Sequence, residues 1–137
     1  MFKLPCACVC GPVVLAGLIA ATGAAAQIAP PSQSRDVAIS APAAIDLDPE
    51  IGVAGRQLRI RKLVVAPGGV IGLHTHKDRP DATYLVQGTL TEHLADTAPR
   101  TREADTLSVA GKDVTHWLEN RGSVPAVLIV ADIPRAP

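Results

Sequence analysis

The sequence predicts an all-β domain, built as a sandwich or a barrel. Three observations predict it. After Gly55, short β-branched and aliphatic runs alternate with Gly, Pro and Asp, as in strands joined by tight turns. No window is long and periodic enough for an amphipathic helical stripe. Near the C-terminus, Val127-Leu128-Ile129-Val130 is an unbroken apolar run, the mark of a central strand buried on both faces.

The elements follow in chain order. Residues 1–26 read as a secretory signal peptide: Lys3 is the positive start, residues 11–25 are apolar and uncharged, and Ala24-Ala25-Ala26 offers a cleavage site. The apolar stretch is shorter than the ~20 residues of a spanning helix, so no stable membrane span is expected after cleavage. The expected location is the periplasm or the exterior. Cys6, Cys8 and Cys10 all lie in this segment, so the cleaved chain would have no disulfide and no thiolate ligand. Residues 27–54 carry Pro30, Pro31, Pro42 and Pro49 and are expected as an extended leader with an edge strand at 44–47. Residues 55–137 are expected to form the barrel domain, with strands at 57–65, 70–76, 82–87, 89–94, 101–103, 106–109, 114–119 and 125–132. Pro67-Gly68-Gly69 and residues 120–123 read as turns, and Gly88 as a position that a side chain would hinder.

Composition excludes some partners. The 13 basic and 13 acidic residues balance, and no basic run occurs, so nothing argues for nucleic acid. A homodimer is the expected assembly, since open sheet edges are usually covered.

Chemistry concentrates in Gly72–Gly88, GLHTHKDRPDATYLVQG. Strand side chains alternate, so His74 and His76 share a face and can reach one ion. The wider pattern has Gly68, His74, His76, Asp81 and Gly88, and then His116 followed by Asn120. With Tyr84-Leu85-Val86-Gln87-Gly88, it resembles the cupin superfamily, whose motifs read G-x5-H-x-H-x3–4-E-x6-G and G-x5-P-x-G-x2-H-x3-N. The resemblance spans Gly55 to Asp132. It implies a single-domain cupin-type jelly-roll β-barrel with a divalent metal (Fe, Mn, Zn, Ni or Cu) on His74, His76 and His116.

Two departures stand out. Asp81 replaces the motif glutamate and is one methylene shorter; it either ligates the metal or orients a ligating histidine. If free of the metal, Asp81 is also the motif-placed catalytic base. Asp105, Gly111 and Asp113 replace the G, P and G of the second motif.

Other residues have plainer expectations. His93 is expected at the rim, Asn120 as a turn cap, and Tyr84 and Trp117 in the core. Leu58 and Ile60 are expected to point inward beside the site.

Two functions are open at this stage. One is an exported metalloenzyme of oxygenase type acting on a small organic molecule. The other is a non-catalytic cupin that binds a metal or small ligand. A barrel with vestigial histidines would ignore chelation.

Overall fold

The computed structural model describes residues 29–95 and 97–137. The segment expected to be a signal peptide, 1–26, lies outside the described residues. The elements are β1 (Arg35–Ile39), β2 (Ala43–Asp46), α1 (Leu47–Ile51), β3 (Gln57–Thr75), β4 (Asp81–Gln87), β5 (Leu90–Leu94), β6 (Arg100–Arg102), β7 (Thr106–Ala110), β8 (Thr115–Glu119) and β9 (Ala126–Asp132). All pairings are antiparallel, in the order β6-β5-β8-β3-β9-β4-β7, with β1 and β2 also on β3. The sheet curls into a nearly closed barrel, the all-β architecture expected from the sequence.

The expected turn at residues 67–69 is instead a bend inside one strand of 19 residues. Arg59–Val65 of β3 pairs with β9, and residues 70–75 pair with β8. Pro67 has no N–H, so it suits the place where the ladder changes partner. Gly68 takes a φ of +75° there, a region that disfavours a side chain. Asn120 fastens this corner. Its N–H donates to Gly69 O, its carbonyl accepts from Gly68 N, and its side-chain amide donates to Val65 O and Val124 O. Its Oδ1 accepts from Gly122 N, the turn-capping contact expected.

Residues 29–54 of the expected leader are more ordered than an extended chain. They contain two strands and a one-turn helix that ends on Gly52 at φ +72°. Five residues are too few for periodicity to reveal a helix. β1 and β2 pair along the edge of β3 opposite β9. Among the described residues, no helix is long and apolar enough to cross a membrane.

The core comprises Leu63, Val65, Leu85, Leu90, Leu118, Ala126, Leu128 and Val130, with Val37 and Ile71 packed against it. β9 lies between β3 and β4, and every second residue of it is buried. The other face of β9 is half-covered rather than fully buried.

Alternation in β3 overturns one expectation. Leu63 and Val65 fix which face is inner, and period two then turns Leu58 and Ile60 outward, 43% and 47% exposed. Arg61 takes the inner position instead, because Asp132 on β9 meets it with a carboxylate. Tyr84 is likewise on the surface and donates to Asp105 Oδ1 at 2.6 Å, because Leu85 holds the inner face of β4. Trp117 is buried as expected.

Gly88 sits at φ +78°, and a Cβ there would lie 2.7 Å from Pro125 O and 2.9 Å from Ala126 Cα. Gly88→Ala is expected to lower unfolding free energy by about 2–4 kcal/mol, combining left-handed strain with a backbone clash. Urea unfolding measures it; an unchanged midpoint would contradict this account of the β4–β5 corner.

Candidate metal centre

The register of β3 on β8 builds the centre. His74 pairs directly with His116, and a bulge between Ile71 and His74 re-aims the strand just before it. His76 follows the last residue of β3 and is buried. The leader reinforces the bulge. Gly72 N donates to Ser34 Oγ, Leu73 N donates to Pro31 O, and a Cβ on Gly72 would meet Gln33 C at 2.7 Å.

All three histidines turn Nε2 inward. His76 Nε2 and His74 Nε2 lie 3.0 and 3.1 Å from His116 Nε2. Each Nδ1 faces an acceptor: Gly72 O at 2.8 Å for His74, Arg79 O at 3.2 Å for His76, and Glu92 Oε1 at 2.6 Å for His116. An acceptor on Nδ1 requires the ring proton there, which leaves the lone pair on Nε2. Burial holds His74 down to about 4. Burial lowers His76 too, outweighing the charge of Asp81. With the ring proton on Nδ1, each Nε2 lone pair aims at one point, and lone pairs cannot hydrogen-bond each other. A cation satisfies all three, and the donor set fits a divalent metal.

Asp81 is not part of this cluster. Its Oδ2 lies 3.5 Å from His76 Nδ1, behind the ring rather than at the converging nitrogens. Burial pushes its carboxyl up, against the pull of His76. Asp78, outside the motif spacing, is at the surface and pairs with Arg56 and Arg135.

Sequence reasoning missed Glu92. Its side chain is 1% exposed, and it accepts from His116 Nδ1, Arg102 and Arg100. Burial raises its pKa, but these three partners outweigh burial and hold it far below the usual carboxylate range. A glutamate flanked by arginines on β6 was the available signal, yet it points at His116 only once β5 is paired with β8. His93 stacks on Trp117 at 3.7 Å and contacts Glu119 Oε1, so it belongs to the barrel wall and is half-buried.

A cavity of about 260 Å³ opens beside the centre. His74 and His116 stand in its wall with Arg61, Arg79 and Asp81. Leu63, Ile71, Leu85 and Leu118 form apolar walls. Ser32 and Ser34 of the leader also line it, so the cavity is not made by residues 55–137 alone.

Comparison with known proteins agrees with this architecture. A family model described as "Cupin domain" matches residues 61–132. The chain is 30% identical over 80 residues to auxin-binding protein ABP19b of Prunus persica, covering 56% of this chain and 38% of that protein. It is 32% identical over 85 residues to germin-like protein 8-14 of Oryza sativa subsp. japonica, covering 58% and 40%. It therefore spans about two fifths of the length of these curated relatives. Among solved structures, a double-stranded beta-helix protein from Klebsiella pneumoniae matches with TM-score 0.52 at 19% identity, covering 57% of this chain and 68% of that one. An oxalate oxidase in complex with glycolate matches with TM-score 0.53 at 19% identity, covering 71% and 50%.

Glu92 fixes the tautomer of His116, so Glu92→Gln is expected to weaken metal binding by roughly 10–100-fold. Competition with a chromogenic chelator measures this, and unchanged affinity would contradict it. The metal-free chain should also lose stability in two acid steps. His74 is depressed on folding, so its contribution declines as pH falls from about 6.5 to about 4. Glu92 is depressed as well, so its contribution is whole above about 4.3 and declines below it. Glu92→Gln should shrink the lower step, to which Asp132 also contributes, and leave the upper one, read from unfolding midpoints across pH.

Proposed function

This chain belongs to the cupin family, and on that premise we propose that it is an exported metalloenzyme of oxygenase type acting on a small organic molecule. His74, His76 and His116 hold one divalent ion. The observation that carries the reading is the convergence of three Nε2 atoms whose Nδ1 partners already fix the tautomer.

Their spacing suits one shared ion. His76 Nε2 and His74 Nε2 lie 3.0 and 3.1 Å from His116 Nε2, so one ion could be held by all three. Such an ion would supply Lewis-acid and redox chemistry, with positions open toward substrate and oxygen. Three imidazoles would accept Fe, Mn, Zn, Ni or Cu.

The chain's own residues do the rest. Leu63, Leu85 and Leu118 exclude water from the cavity. Asp81 faces it with a carboxyl raised by burial, placed to take a proton from a bound molecule and return it. The signal-like segment 1–26 supports action in the periplasm or outside the cell.

The second reading is a non-catalytic binding module. It is favoured by one observation: among the described residues, no carboxylate joins the three histidines in the cluster.

Elemental analysis of the protein purified from its own compartment should find near-stoichiometric metal, and His76→Ala should abolish it. Oxygen uptake across catechols, flavonols, thiols and dicarboxylates separates the two readings. Uptake with one class supports the enzyme. Tight binding without uptake supports the binding module. A chain that stays metal-free after reconstitution with Fe, Mn, Zn, Ni and Cu contradicts both metal readings.

A further inference from the structure

Behind the metal centre lies an imbalance of charge that metal binding does not use. Arg59, Arg61 and Arg79 all converge on the carboxylate of Asp132, which is fully buried. Arg59 takes the strong share, donating from Nε at 2.9 Å and from Nη2 at 2.7 Å. Arg61 is left with one long contact, Nη2 to Asp132 Oδ2 at 3.3 Å. Its Nε is buried with no hydrogen-bond partner, alone in this among buried side-chain polar atoms of the described residues.

A buried N–H on a permanent cation is costly to leave unpaired, by roughly 1–3 kcal/mol or more. Asp132 thus leaves the Arg61 guanidinium under-paired, with one long contact. Arg61 lines the same cavity as His74, His116, Arg79 and Asp81. Burial lowers its pKa despite Asp132 and Asp81, as expected for a guanidinium that its neighbours under-compensate.

The local charge favours an anion. Three guanidinium groups face two carboxylates, Asp132 and Asp81. One positive charge remains even with Asp81 ionised, and a divalent ion adds two. Arg102 also lines the cavity but is tied to Glu92 by two hydrogen bonds. Away from the charged end the walls are Leu63, Ile71, Leu85, Leu118, Leu128 and Val130. A diacid alone would leave this apolar surface facing water. At about 260 Å³, the cavity is smaller than the roughly 300–1,000 Å³ typical of drug-sized ligands.

We propose that Arg61 anchors the carboxylate of a small organic acid whose apolar body fills the rest of the cavity. This deepens the reading of the cavity as a small-molecule site and rests on it. Arg61 contacts the ligand through its terminal nitrogens, Arg79 adds charge from the rim, and the aliphatic walls select the body.

The test titrates the full chain, with and without bound Mn, by calorimetry. The probes are butanoate, hexanoate and phenylacetate, each against its own amide. At least one acid should bind about ten-fold or more tighter than its amide, the worth of a charge-assisted hydrogen bond. Arg61→Met should erase that preference, with amide binding, Mn content and circular dichroism unchanged. Arg61→Lys should keep part of it, which guards against misfolding of the first variant. No acid bettering its amide, or an Arg61→Met variant that keeps the preference, would overturn the proposal. Equal loss of acid and amide binding would also overturn it, by reducing Arg61 to a packing role. Acid preference that depends on Arg61 in a chain that takes up no metal would support the anchor while sinking the metalloenzyme reading.

Discussion

Three imidazoles with the ring proton on Nδ1 aim their Nε2 lone pairs at one another and cannot satisfy themselves. Everything near the centre enforces that arrangement. Gly72 O, Arg79 O and Glu92 each hold a proton on the far nitrogen of one ring, and none of the three rings can turn without losing its partner. Repulsion among the nitrogens is therefore maintained by hydrogen bonds outside the cluster. Burial alone would not produce this, since it lowers a histidine pKa without choosing a tautomer. The ring orientations, more than the mere presence of histidines, are what fit the site to a metal ion.

The barrel supplies the registration this needs. β3 serves two neighbours, and the corner where it passes from β9 to β8 is locked by Asn120 on both faces of the bend. Beyond the corner, a bulge and the leader's contact with Gly72 set the direction of His74. The buried charges divide into two separate groups. Glu92 with Arg100 and Arg102 stands behind His116, while Asp132 with Arg59, Arg61 and Arg79 stands behind Asp81. In the first group both arginines donate to Glu92. The second carries surplus donors and faces the cavity, so one orders the metal ligands and the other shapes what they meet.

Much of this was readable in the chain because it depends on short separations. His74 and His76 are one residue apart, and period two alone puts them on one face. Gly88 and the final strand could also be placed from local pattern. Long-range pairing hid the remainder. Glu92 is 24 residues from His116, and Asp132 is 73 from Arg59; neither partnership has a local signature. Lacking Asp132, the alternation of Leu58 and Ile60 with Arg59 and Arg61 suggested the wrong inner face. The same applies to Pro67-Gly68-Gly69, whose composition suits a turn or a bent strand equally until Asn120 is in view. β2 falls beside the edge strand expected at 44–47, whereas β1 depends on β3 for pairing and has no local signature.

The central claim is that the three Nε2 atoms form a site for one ion. Crystals of the metal-loaded chain, measured at the absorption edge of the bound metal, test it most directly. The account expects one anomalous peak about 2.0–2.2 Å from Nε2 of His74, His76 and His116, with Glu92 still on His116 Nδ1. A peak held through Nδ1, a peak elsewhere, or rings turned apart around an empty centre would contradict it.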